Sequence, residues 1–300
     1  MYRHLVLELN SSCNNNCIYC YIPKGISDES NCKKKVFLDA MRKYSEINNI
    51  EFTGGEPTLC PYLTGLVRVA RERGITNRTL VTNGRRLSSL KYARNLISSG
   101  INRVVIPLDG HTSDIAESIT RVPGSFNQVV AAARLIKSMN IELGLTIVVN
   151  AFNYRNIPEI VAKCVDLSAD FINIQFLLPY VEDDQVLCRK IEEHVFVTYS
   201  ESVPYVKKAL DSVCNHKVNV HFIPFCYMQG YESFLISDAD KTDRIVVNHK
   251  GYSYNMGAHV KKGSFKNEKC EACKWTKICH GFFLSYAAEL GIEDQSDGFR

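Results

Sequence analysis

No apolar run in this 300-residue chain approaches the ~18 residues needed to cross a bilayer. Charge of neither sign dominates. The 36 basic and 32 acidic side chains leave +4, too little by itself to argue for nucleic acid or a membrane surface as a partner. A secretory signal is lacking too, because the opening residues MYRHLVLELN reach an acidic side chain too early. No low-complexity segment occurs, and no internal repeat beyond an alternation of strands and helices. These absences predict a cytoplasmic globular protein, and 45% hydrophobic with 23% charged residues is the composition of a chain with a real core. The length suits about two domains, unless one α/β barrel takes most of it.

Cysteine is what the chain has in excess, at 12 residues. A secreted chain would use them as disulfides. A cytosolic chain keeps thiols reduced, so clustered cysteines there read as metal ligands. Cys13, Cys17 and Cys20 form one cluster, and Cys270, Cys273 and Cys279 another. Cys32, Cys60, Cys164, Cys188 and Cys214 match no ligand spacing and read as core or incidental thiols, and Cys226 stands alone.

The first two-thirds alternates β-rich runs with helical patterns. Strands are expected at His4–Leu9, Ile50–Thr53, Arg78–Thr82, Arg103–Leu108, Glu142–Val149 and Phe171–Phe176, and helices near Lys34–Ile47, Leu63–Arg73, Leu87–Ser99, Phe126–Met139 and Ile157–Leu167. Gly74, Gly100 and the Met139–Asn140 pair fall where helices should stop. Repeated βα units predict a right-handed parallel α/β architecture. Six units fit, two short of a full barrel, so the expected fold is a partial (β/α)6 TIM-type barrel over residues 1–212. Its last part, from about 180, reads as a helical connection interrupted by Pro204. Residues 213–300 read as a small cysteine-rich unit whose weak apolar periodicity needs a metal cluster to supply its core.

The segment Cys13-Asn-Asn-Asn-Cys17-Ile-Tyr-Cys20 follows the first strand, where barrel active sites sit. A 4Fe–4S cluster needs a ligand on each iron, usually four thiolates. Three therefore leave one iron open to a substrate or cofactor. Three structural cysteines, or three-quarters of a zinc site, are the plainer readings, although no histidine lies between Cys20 and His111 to complete the latter.

This spacing, with Tyr19 beside the third cysteine and Gly54-Gly55-Glu56-Pro57 ending the second strand, resembles the radical S-adenosylmethionine (SAM) superfamily. The resemblance implies a SAM-binding 4Fe–4S cluster on Cys13, Cys17 and Cys20, whose open iron chelates the methionine amino and carboxylate groups. It implies that one-electron reduction then releases a 5′-deoxyadenosyl radical that abstracts hydrogen from substrate, with an electron donor such as flavodoxin or ferredoxin. Gly54, Gly55, Glu56 and Pro57 would contact the methionine amino group. Adjacent glycines permit close backbone approach, and Glu56 could accept a charge-assisted hydrogen bond from an ammonium. Weaker echoes add Asn83, in Thr82-Asn83-Gly84, and Asp109, in Pro107-Leu108-Asp109-Gly110, where proline replaces the family's usual serine. Arg121, ahead of Gly124-Ser125-Phe126, could pair with the cofactor carboxylate or be a plain surface arginine. His111 could face the active-site mouth or be a solvated loop residue.

Cys270-Glu-Ala-Cys273 followed by Cys279 resembles the start of the auxiliary-cluster domains called SPASM and twitch. Phe283 and Met256 stand where a full SPASM domain has further cysteines, which leaves ligands for one auxiliary 4Fe–4S cluster rather than two. Cys226 reads as its fourth ligand, as a hydrogen-atom donor to a substrate radical, or as a buried structural thiol. His280 is an alternative fourth ligand, and a zinc knuckle an alternative to the cluster. By resemblance, the reaction is modification of a peptide or protein side chain: crosslinking, thioether formation, epimerisation or oxidation. The alternative is dehydrogenation or epimerisation of a small molecule such as an aminocyclitol or aminoglycoside. RNA base modification would bring a basic stripe that is not seen. A non-enzymatic electron carrier survives only if the GGEP match is accidental.

Overall fold

The computed structural model describes residues 3–22, 33–177, 193–213, 216–237, 243–284 and 286. Strands β1 (His4–Glu8), β2 (Asn49–Thr53), β3 (Asn77–Val81), β4 (Arg103–Pro107), β5 (Glu142–Val148) and β6 (Phe171–Gln175) lie within a residue of the six expected. Each turns one set of side chains into the core. Leu5 and Leu7, Ile50 and Phe52, Val104 and Ile106, Leu145 and Ile147, and Ile172 and Ile174 are fully buried. At roughly 25 cal/mol per Å² of apolar surface removed from water, each such side chain contributes about 1.5–3 kcal/mol.

The helices are α1 (Lys34–Lys43), α2 (Leu63–Glu72), α3 (Leu90–Ser99), α4 (Ser113–Thr120), α5 (Ser125–Ser138), α6 (Ile157–Asp166), α7 (Tyr199–Asp211) and α8 (Met256–Lys262). The third begins three residues later than expected, because Arg85–Ser88 closes into a separate 3-10 turn first. Pro204 does not interrupt α7, which runs through it. The earlier part of that connection, with Cys32, Cys188 and Cys214, lies outside the described residues.

The main sheet has the order β7-β6-β5-β4-β3-β2-β1-β8-β9. From β1 to β7, neighbours in the sheet are neighbours in the chain and all pair in parallel. Right-handed crossovers then place every connecting helix on one face, and the other face lines the interior of a TIM-type barrel. The expected six strands are extended. β7 (Val218–His221) joins β6, β8 (Arg244–Asn248) joins β1 in parallel, and β9 (Ser253–Asn255) pairs antiparallel with β8. The proposed division at 212/213 therefore does not coincide with a sheet boundary. Val218, Val220 and Ile245 to Val247 bury their side chains in the barrel's own core, which short strands read singly do not reveal. The cysteine run near the C-terminus is bracketed by an antiparallel pair, β10 (Ser264–Phe265) with β11 (Phe282–Phe283).

Cys164 is a buried free thiol on α6, as expected. Cys60 is buried in the core, as expected, and is disulfide-bonded. Among the described residues no helix is long and apolar enough to cross a membrane.

Candidate active site

The three clustered cysteines occupy the loop after β1, at the carboxyl end of the barrel. Two backbone bonds fasten that loop to the end of α4, from Asn16 N to Thr120 O (2.9 Å) and from Ile18 N to Ile119 O (3.0 Å). Arg121, exposed and in a left-handed conformation that ends α4 (φ 54°), is thereby held next to the cysteine loop. From β3, Asn83 Nδ2 donates to Asn14 Oδ1 (2.6 Å), and Arg85 donates to Asn14 O and to Asn15 Oδ1 (3.2 Å). The end of α4 and the segment after β3 thus hold the triad.

The glycines of Gly54-Gly55-Glu56-Pro57 are required by packing against this loop. A Cβ on Gly54 would stand 2.6 Å from Asn10 O, and one on Gly55 2.3 Å from Ser12 O. Gly55 N donates to Asn10 O and Glu56 N to Ser12 O, both at 2.7 Å. The close approach expected toward a ligand is, in the structure, an approach to the backbone just ahead of Cys13. Glu56 caps the short helix Pro57–Leu59, with Pro57 at its first position. Its carboxylate is fully buried and accepts from Thr58 N (2.9 Å), the Thr58 hydroxyl, Thr82 Oγ1 (2.6 Å) and Asn83 N (2.8 Å). A carboxylate so occupied joins the β2 and β3 loops. Close by, Asn10 Oδ1 and Ser11 Oγ are enclosed and have no hydrogen-bond partner among the described residues.

Asp109 is a second buried junction. Its Oδ2 accepts from the Tyr19 hydroxyl (2.6 Å) and its Oδ1 from Val148 N (2.8 Å), while Asn153 Nδ2 donates to its carbonyl (3.0 Å). Burial raises the carboxyl to about 6, against the lowering effect of those two donors. Tyr19 is held by Asp109, so both residues join loops to one another. His111 is half-buried, and its Nδ1 is enclosed without a partner among the described residues.

The donor set suits an iron–sulfur cluster. Asn15 N donates to Cys13 Sγ (3.3 Å), Asn83 Nδ2 to Cys13 Sγ (3.8 Å) and Asn15 Nδ2 to Cys17 Sγ (3.9 Å), the kind of outer contact that stabilises thiolate ligands. Burial raises the Cys13 thiol, and burial with Asp109 nearby pushes Cys17 up to about 12. Loading metal on these groups must therefore release protons. Among the described residues no three His, Cys, Asp or Glu side chains converge on a single ion position, whereas the ligands of a 4Fe–4S cluster each take a different iron.

A second cysteine site lies beyond β7. Cys226 sits on the short helix Phe225–Met228 that follows this strand. Cys226, Cys270, Cys273 and Cys279 together line one small cavity, with Phe225, Lys266, Thr276 and Phe282 around them. Gly281 closes the loop against β10, where a Cβ would stand 2.1 Å from Phe265 O. Burial, then the neighbouring thiols Cys279, Cys270 and Cys273, push Cys226 up to about 12. His280, the alternative fourth donor, does not line the cavity and stacks on Phe283 at 4.3 Å. Sequence reasoning found the cysteines but missed Asn10, Asn14, Asn15, Thr58, Thr82 and Arg85. Thr82 and Arg85 bond to Glu56 and Asn14 far away in the chain, and only the assembled loops show that Thr58 and Asn15 aim at Glu56 and the cysteines.

A parallel α/β barrel presenting three cysteine thiols on the loop after its first strand, braced by a glycine turn from its second, defines an iron–sulfur barrel enzyme. The chain belongs to the Radical SAM superfamily, whose family model matches residues 7–164. Enzymes of this family use a 4Fe–4S cluster and SAM. The chain is 33% identical over 188 residues to a GTP 3′,8-cyclase of Peptoclostridium acidaminophilum, covering 59% of this chain and 56% of that protein. It is 30% identical over 173 residues to the PqqA peptide cyclase of Gluconobacter oxydans, covering 57% and 48%. The chain thus spans about half the length of these relatives. Its fold is shared with Streptococcus suis SuiB bound to S-adenosylmethionine (TM-score 0.70, 16% identity, 96% of this chain and 74% of that one). It is shared also with anSMEcpe bound to AdoMet (TM-score 0.71, 18% identity, 99% and 95%).

Proposed function

We propose that this enzyme modifies a peptide or protein side chain by radical chemistry, with a SAM-binding cluster on Cys13, Cys17 and Cys20 and an auxiliary 4Fe–4S cluster on Cys226, Cys270, Cys273 and Cys279. The observation that carries the reading is the convergence of those last four thiols on one cavity, which answers to the four thiolates of a complete cluster. Cys226 is then a ligand rather than a hydrogen donor. Similarity to a peptide cyclase, and a fold shared along nearly the whole chain with proteins crystallised with peptides, support a peptide substrate.

When bound, the SAM-binding cluster and SAM supply a reductively generated carbon radical able to take hydrogen from an unactivated position. The chain's own share is orientation. Cys13, Cys17 and Cys20 hold the cluster, Asn15 and Asn83 donate toward its thiolates, and Glu56 locks the two turns that flank it. Asn10 Oδ1 offers an acceptor for a cofactor ammonium, and Arg121 a cation for its carboxylate. The identity with a GTP cyclase favours a second reading, a small-molecule substrate.

Iron and sulfide content after anaerobic reconstitution tests the proposal. Wild type should hold about eight irons, and a Cys13/Cys17/Cys20→Ala triple variant about four. Dithionite should drive 5′-deoxyadenosine formation in wild type alone. Four irons in wild type and none in the variant would remove the auxiliary cluster and the main support for a peptide substrate. Acceleration of 5′-deoxyadenosine formation by GTP would favour the second reading.

A further inference from the structure

The barrel's inner face becomes neutral and hydrogen-bonding as it approaches the cysteine loop. Register aligns Pro107, Thr146, Asn173 and Asn219 in one row across β4 to β7, and Val148, Gln175 and His221 in the row nearer the carboxyl ends. Their alternating neighbours, Leu145, Ile147, Ile172, Ile174, Val218 and Val220, pack in the hydrophobic core, so the two rows point the other way. Beneath them the Phe171 ring lies over Gly144, where a Cβ would come within 2.3 Å of it. Further down, Arg103 pairs with Glu142 at 2.7 Å. The rows stand on an apolar floor, with that ion pair under it. At their top, Val148 N bonds Asp109, which carries the connection to Tyr19 and the cysteine loop.

Within the first row, Asn219 Nδ2 donates to Asn173 Oδ1 (3.1 Å) and Asn173 Nδ2 to Thr146 Oγ1 (3.5 Å). These bonds orient both amides and, among the described residues, leave Asn219 Oδ1, the Thr146 hydroxyl hydrogen and one N–H on each amide unspent. The Gln175 amide, half-buried, has no partner among the described residues. Polar groups in such a place need partners once a substrate displaces water. What they present is donors and acceptors together, without charge.

We propose that Thr146, Asn173, Gln175 and Asn219 form the substrate-binding wall, and that they take an uncharged amide-bearing group, a peptide backbone or carboxamide. This rests on the peptide reading above. An amide offers one donor and one acceptor per unit and matches the wall group for group. A polyphosphate needs cationic partners, and neither row holds a lysine or arginine.

The test is equilibrium dialysis of the reconstituted, SAM-bound holoenzyme against a pool of acetylated, amidated tetrapeptides with uncharged side chains, and separately against GTP, read by mass spectrometry. Asn219→Asp and Gln175→Glu keep volume and place a charge on the wall, and Asn173→Leu removes its central amide. Wild type should retain peptides, and the two charge variants, at unchanged iron content, should retain about tenfold less, the cost of a mismatched buried polar group. Equal peptide retention by wild type and both charge variants would overturn the wall while leaving the peptide reading intact. Retention of GTP and not of peptides by wild type would overturn the peptide reading, and the amide assignment with it. Retention of neither probe would also refute the wall.

Discussion

Gly55→Ala is the sharpest test of how the cofactor-binding loops are assembled. The added methyl would stand 2.3 Å from Ser12 O, where ordinary contact begins at 3.4 Å. The Ser12 carbonyl must recede by about 1 Å, and the neighbour that must give is backbone, not the end of a flexible side chain. Overpacking of this kind costs about 1–3 kcal/mol. The retreat also stretches the bond from Glu56 N to Ser12 O, and leaving a buried N–H unpaired costs about 1–3 kcal/mol more. The sum, about 2–6 kcal/mol, is a large part of the ~5–15 kcal/mol by which a domain is stable. It falls on the residue preceding Cys13. The expected result is loss of the triad's iron, about four per chain, with a lowered melting temperature. Gly65→Ala is the internal control. Gly65 lies inside α2 with nothing within 4 Å of a built Cβ, so alanine should stabilise by about 0.5–1 kcal/mol. A Gly55→Ala protein that keeps its full iron and melts like wild type would refute the packing argument, since the contact is with backbone and offers no easy escape.

Two further outcomes follow from buried titratable groups and from the second thiol cage. Asp109 titrates at about 6 in the fold and near 3.9 unfolded, a difference worth about 3 kcal/mol. Because the folded value is the higher one, this stability is present below about pH 4 and is lost as pH rises to about 6. Urea melts between pH 4 and 7 should show wild type losing stability relative to Asp109→Asn over that window, and parallel pH profiles would contradict the burial argument. Cys226→Ala should lower reconstituted iron from about eight to about four while dithionite-driven 5′-deoxyadenosine formation persists. Retention of all eight would place Cys226 outside the cluster.

The elements of the barrel were legible because each carries its own signal. The apolar sets of β1 to β6 are dense enough to mark a buried strand, and the glycine or asparagine after α2, α3 and α5 marks a stop. β7 and β8 carry the same kind of residues in shorter runs, and only pairing with β6 and β1 makes them part of the barrel. The candidate ligands were legible for a similar reason, since the spacing of Cys13, Cys17 and Cys20 is local. The direction of Glu56 was not. Its sequence context admits an ammonium partner, but its carboxylate is consumed by Thr58, Thr82 and Asn83, 26 and 27 residues away for the latter two.

The sequence by itself determined the class of chemistry, because cluster ligation needs particular atoms at short, fixed separations along one loop. It determined the parallel α/β architecture, because strand and helix periodicities are properties of single segments. Tertiary structure alone decided that Gly54 and Gly55 serve the approach of two backbones, that Cys226 joins three thiols some 44 to 53 residues further on at one cavity, and that the amides of Asn173 on β6 and Asn219 on β7 bond to one another. Those facts depend on which strands lie side by side, and hydrogen bonds and contacts between strands leave no periodic mark on either partner's sequence.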